Sequence, residues 1–230
     1  MKKLLSRVVS HTFPGWYRRY QHGKRARLYA GKSREEVFGI IHRQNLWASP
    51  ETVSGHGSTL AETQPIRQAL PALVRELGIR SVLDVPCGDF HWMRELAPLF
   101  ESYKGGDIVL QLVEANRAKF GSDKVEFLHL DVVSSPLPAV DLVIVRDCLV
   151  HLSLAEAAAA LQNIARSGST WMLATHFEGI QNEEAITGEW RPLNLCGAPF
   201  GLPAPDRLLA DSASHAGKTL GLWRLGPMGA

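Results

Sequence analysis

Between residues 80 and 175, five short apolar runs alternate with helix-like segments. The runs cover residues 80–85, 103–108, 125–130, 140–145 and 170–175. Such alternation buries its apolar faces as a parallel sheet with helices on both sides. Residues 140–145 are nearly all apolar, as a central strand covered on both faces should be. Helices are predicted over residues 91–100, from the second strand to Phe120 with Gly121 as cap, and to Arg166 from the capping box Ser153-x-x-Glu156. Upstream, Ser33-x-x-Glu36 is a second capping box. It opens a helix that carries Val37, Ile40 and Ile41 inward and ends near Trp47. Residues 63–77 form another helix, which Pro71 should kink or split and Gly78 should stop. After residue 175 the pattern changes. Residues 190–195 and 219–225 read as strands, separated by a Pro-rich loop and a short helix. With 230 residues, the chain makes one domain with a substantial core.

Residues 81–93, Ser-Val-Leu-Asp-Val-Pro-Cys-Gly-Asp-Phe-His-Trp-Met, read as a buried strand, a tight turn and the start of a helix. Asp84 lies near the strand end, and Gly88 lets the backbone come close to a ligand. In an open parallel sheet, a nucleotide-like ligand binds outside the carboxyl ends of the strands. The start of a following helix favours a negative group. Asp107 lies 23 residues after Asp84, at the spacing that suits hydrogen bonds to ribose hydroxyls. The absence of G-x-G-x-x-G argues against a dinucleotide.

The stretch Leu-Asp-Val-Pro-Cys-Gly-Asp resembles the first motif of the class I S-adenosylmethionine-dependent methyltransferases. Pro86 and Phe90 stand where that family often has glycine. The resemblance covers about residues 33–225 and is also carried by Asn45, Trp47 and the Ser-Gly-His-Gly-Ser segment, residues 54–58. It implies a Rossmann-like seven-stranded, mostly parallel sheet with an antiparallel last strand, and S-adenosylmethionine as cofactor. The cofactor site it implies comprises Asp84, Cys87, Gly88, Asp107, Asp131 and Arg146. Asp131, after the third strand, is placed to meet the adenine amino group, and the edge after the fourth strand to face the transferred methyl. There His151 is a candidate base, with an unperturbed pKa suited to neutral pH. Asp147 is a second candidate base or a residue that orients the acceptor, and His176 is a further rival. Asn182, Trp190 and Arg191 belong to a polar and aromatic segment, residues 182–205, expected to cover the acceptor.

The expected reaction is methylation of a hydroxyl on a small molecule or glycan. The alternatives are an RNA or protein methyltransferase that uses a basic arm, and a non-catalytic S-adenosylmethionine-binding module. No Asp/Asn-Pro-Pro-Tyr/Phe pattern follows the fourth strand. Pro86-Cys87 lies after the first strand, not where cytosine-C5 enzymes carry their nucleophile. No metal-ligand spacing appears.

The first 34 residues hold ten Lys or Arg and no Asp or Glu, which leaves 15 basic against 23 acidic residues elsewhere. A basic arm, residues 1–32, therefore precedes a methyltransferase domain, residues 33–230. Such an arm suits an anionic surface, whether lipid, acidic glycan or nucleic acid, and reads equally as a solvated leader. Ser6 and Arg7 interrupt its apolar run and no small-residue cleavage site follows, so the arm is expected to be retained. The widely separated Cys87, Cys148 and Cys196 form no disulfide framework and point to a reducing compartment. A cytoplasmic protein, with the arm able to touch the inner membrane surface, is the expectation.

Overall fold

The computed structural model describes residues 23–47, 49–215 and 217–226. Most of the basic arm lies outside these residues. The strands are β1 (Ser81–Asp84), β2 (Ser102–Asp107), β3 (Val125–His129), β4 (Leu142–Val145), β5 (Trp171–Phe177), β6 (Arg207–Ala210) and β7 (Lys218–Arg224). They form one seven-stranded sheet in the order β3-β2-β1-β4-β5-β7-β6. Strands β1 to β5 are parallel, and β7 runs antiparallel to both β5 and β6. The chain reverses its direction of winding between β1 and β4, the position at which open sheets of this kind take ligands.

Among the described residues from 34 onward, the α-helices are α1 (Arg34–Arg43), α2 (Gln64–Leu77), α3 (Leu110–Phe120) and α4 (Leu154–Arg166). Strand alternation divides the core into two layers. Leu142 and Ile144 face one way and pack with Ile66, Leu70 and Leu73 of α2 and Val113 of α3. Val143 and Val145 face the other way and pack with Ala157, Ala160 and Ile164 of α4. Both predicted capping boxes form, with Ser33 and Ser153 each exchanging bonds with the glutamate three residues on. Tyr29, ahead of α1, is buried with Val37 and Ile41 in a third apolar cluster.

Three local expectations are corrected. Residues 91–100 form two 3₁₀ turns rather than a helix. Pro98 has no N–H to give the carbonyl four residues back, and the bonds present span three residues, such as Leu96 N–H to Met93 O. No helix N-terminus therefore follows β1 to meet an anion. Pro71 does not split α2, whose buried stripe continues through it from Ile66 to Val74. Residues 190–195 are not a strand, because β7 occupies the free edge of β5 and Pro192 lacks a donor. They are held by scattered bonds such as Arg191 N–H to Val150 O and Phe177 N–H to Leu193 O. The sixth strand is instead β6, where a loop and short helix were expected.

Candidate active site

The turn after β1 is wired to the end of β2. Gly88 has φ 55 and donates its N–H to Asp107 Oδ2 at 3.0 Å, while Val109 N–H donates to Asp107 Oδ1 at 2.8 Å. Asn116 Nδ2 donates to Gly88 O at 2.7 Å. A side chain at position 88 would place its Cβ 2.1 Å from Ser54 Oγ, so glycine is required there. Phe90 adopts φ 58 where the family often has glycine. This conformation is unfavourable for a bulky side chain. The ring is held by Tyr103, Phe120 and Phe127, with centroids 5.0, 5.3 and 5.1 Å away.

Beside this turn lies a cavity of about 500 Å³. Asp84, Cys87, Gly88, Asp107, Asp131, Arg146, Asp147, His151 and Trp190 all line it. Asn182 and Arg191 do not. Asn182 bonds Asn194 and Ala198, and Arg191 donates to Glu183 O and Leu149 O, so both organise the segment that carries Trp190. His176 is buried and accepts from Leu195 N–H, away from the cavity.

The two acids at the turn are buried and share an electrostatic character. Burial raises the Asp84 carboxyl to about 7, although it accepts a bond from Tyr103 Oη at 2.7 Å. Burial raises Asp107 to about 6, against its two backbone donors. Asp131 differs. Burial opposes its charge, but Arg34 reaches it from α1 through Nη2 at 2.6 Å and holds it below the ordinary carboxylate range. Arg34 also reaches Glu156 at 3.0 Å, so α1 is pinned to α4 and to the end of β3.

A charge cluster forms the opposite wall. Arg146 and Lys218 alternate with Asp147 and Asp211. Lys218 Nζ lies 2.6 Å from Asp147 and 2.9 Å from Asp211, and Arg146 Nε lies 2.5 Å from Asp211. Burial works against both charges of the Arg146–Asp147 pair, yet the partners win. Asp147 and Asp211 keep Arg146 above its usual range, and Arg146 and Lys218 keep Asp147 below its own. The expectation of an unperturbed His151 is corrected: burial pushes it down to about 4, leaving a neutral imidazole under Trp47, whose ring centroid is 5.0 Å away. His151 Nδ1 faces Glu189 O at 3.3 Å. A carbonyl only accepts, so the proton sits on Nδ1 and Nε2 keeps its lone pair. Cys87 and Cys148 both have thiols raised by burial, as expected of unreactive turn residues.

Arg34, Lys218 and Asp211 complete the site and carry no signal in the sequence, while Asp89 closes the Leu-Asp-Val-Pro-Cys-Gly-Asp stretch without being singled out by it. Among the described residues no cluster of three or more His, Cys, Asp or Glu could hold a metal, and no helix is long and apolar enough to cross a membrane.

Residues 82–168 match the family model of a methyltransferase domain. Over those residues the chain is similar to the methyltransferase-domain family. Its fold is shared with human N-acetylserotonin methyltransferase, solved with S-adenosylmethionine, at TM-score 0.61 and 15% identity over 95% of this chain and 69% of that one. Magnesium protoporphyrin IX methyltransferase from Synechocystis PCC 6803, also solved with S-adenosylmethionine, matches at TM-score 0.58 and 14% identity over 86% of this chain and 99% of that one. No curated protein matches this chain in sequence. The cavity suits S-adenosylmethionine, the ligand of both of those structures. An acid stands at the ribose spacing, the glycine turn permits close approach, and Ile108, Val109, Leu130 and Val132 offer an apolar wall to a planar base.

Proposed function

We propose that the protein methylates a hydroxyl group of a small molecule or glycan, with His151 as the proton acceptor. The observation that carries this reading is geometric: His151, with Nδ1 against Glu189 O at 3.3 Å, lines the same cavity as Asp107 and Gly88. S-adenosylmethionine supplies a methyl group already activated on a sulfonium. The chain must then align an acceptor and take its proton. Asp107 is oriented by two backbone N–H groups and has lone pairs left for ribose hydroxyls. Asp84, Cys87, Gly88 and Arg146 surround the methionine end. Asp131, joined to Arg34, closes the adenine end. His151 Nε2 receives the hydroxyl proton as the oxygen attacks, and the Asp147 carboxylate favours the imidazolium that results. Asp147 is itself tied to Lys218 and Arg146, which suits it to orienting rather than to accepting a proton. Trp190, 47% exposed at the cavity wall, offers a stacking face to a ring-shaped acceptor.

The test combines titration with turnover. Wild type should bind S-adenosylhomocysteine and should form it from S-adenosylmethionine when given extracts containing hydroxylated acceptors. His151→Ala should keep that affinity while turnover falls about 100-fold or more, the usual scale for losing a general base. Undiminished turnover removes His151 as base. Methyl transfer found only to amines or to nucleic acid removes the hydroxyl acceptor.

A further inference from the structure

The Asp89 carboxylate collects an unusual number of bonds from one short stretch. Thr52 Oγ1 lies 2.8 Å from each of its oxygens, Val53 N–H donates to Oδ2 at 3.1 Å, and Ser54 Oγ donates to Oδ1 at 3.0 Å. Asp89 N–H donates back to Ser54 Oγ at 3.1 Å. Next to it, Glu51 Oε1 meets His91 Nε2 and Leu60 N–H, each at 2.7 Å. Residues 53–58 all line the cavity. At one end this strap lies against the cofactor turn, where Ser54 Oγ occupies the space of a Gly88 side chain. At the other end a Cβ on Gly57 would come 3.0 Å from Asp147 Oδ2, so the strap passes directly over the charge cluster.

We propose that Asp89 is a positioning residue for methyl transfer: it clamps residues 52–58 across the cavity and so sets one wall for cofactor and acceptor together. The proposal rests on the cavity being the methyl-transfer site. Its physical basis is entropy. A strap rich in glycine and serine costs much to order. One carboxylate that takes several donors keeps it ordered before any ligand arrives. Without the clamp, only the fraction of molecules with the strap in place can bind well, and apparent affinity falls by that fraction.

The test uses the full chain, with S-adenosylhomocysteine as probe in calorimetric titration and hydrogen exchange as the report on residues 52–58. Asp89→Ala should weaken binding by about tenfold or more if the competent fraction falls to roughly a tenth. Exchange in residues 52–58 should rise while β4 and β5 stay protected. Asp89→Asn keeps one acceptor oxygen and should fall between Asp89→Ala and wild type. The double variant Thr52→Ala, Ser54→Ala removes the same bonds from the strap side, and it serves if Asp89→Ala does not fold. Asp141→Ala is the control. Asp141 accepts from Arg80 N–H, Ser81 N–H and Ser81 Oγ at the far end of the sheet, and its loss should lower Tm without lowering affinity. Unchanged affinity with a loosened strap overturns the positioning role. Unchanged exchange shows that Asp89 does not hold the strap and overturns the proposal too. Failure of wild type to bind S-adenosylhomocysteine sinks the functional reading instead, and the exchange result then still reports on the clamp.

Discussion

Asp211→Asn removes one charge from the cluster behind the cavity and leaves the shape of the side chain almost unchanged. Four side chains meet there with no net charge: Arg146, Lys218, Asp147 and Asp211. Their side-chain exposures are 3%, 6%, 22% and 0%. Asp211 is the most enclosed and touches both cations, so its substitution leaves one positive charge uncompensated in a largely buried cluster. Breaking a buried pair by removing one partner costs about 3–5 kcal/mol. For a chain of this size each kcal/mol lowers Tm by roughly 2–4 °C, so the expected fall is roughly 6–20 °C. Urea denaturation at pH 7 reads the free energy directly, and it should be repeated in high salt. A buried pair is screened far less than a surface one, so the loss should persist. Asp147→Asn should cost less, because Asp147 is partly open to the cavity. A loss below about 1 kcal/mol for Asp211→Asn, the range of exposed pairs, would refute the claim that the cluster is desolvated.

Two further predictions concern the acids at the turn. Asp107 ionises only above about 6, so affinity for S-adenosylhomocysteine should fall as pH drops through 6, by up to about tenfold per unit below it. Calorimetry across pH 5 to 8 tests this, and Asp107→Asn should bind weakly with a flatter profile; a flat profile for wild type counts against an ionised Asp107 on the ribose. Asp84 has a folded pKa of about 7, above its ordinary value of 3.8, so the folded state holds the extra proton between those limits. The stability it contributes is complete below 3.8 and is lost as pH rises through 7. Asp84→Asn should therefore compare more favourably with wild type at pH 8 than at pH 5, by on the order of 1–4 kcal/mol, and urea midpoints showing the opposite trend would reject this assignment.

The sequence is most informative where the physics is local. Capping boxes are read from residues three apart, and both exist as expected. The apolar run at β4 announces a central strand because both of its faces are buried. The strand that ends at Asp107 is legible from the run over residues 103–108, since pairing beside β1 needs only a short apolar stretch. Errors arise where a local preference meets a competitor from elsewhere. Residues 190–195 have strand composition, but the edge they would need is taken by β7, a choice made by the whole sheet. The exposed pattern of β6, in which Leu209 is the one buried residue, gives little periodic signal. The charge cluster is illegible for the same reason. Arg146 meets Asp211 across 65 positions and Asp147 meets Lys218 across 71. No short window contains both partners.

The reversed direction of β7 bears on how the protein is made. Because β7 runs against its neighbour, its first residue, Lys218, arrives at the sheet edge where β4 ends. During synthesis β1 to β5 leave the ribosome first and can begin to pair. Until the final hairpin emerges, Arg146 and Asp147 face each other without Asp211 or Lys218, and β5 presents an open edge. The nascent chain therefore passes through an interval in which most of its sheet is present but the cavity lacks a wall. The same last strand therefore completes both the sheet and the charge cluster. A chain stalled short of residue 218 is a prime target for chaperones and proteases.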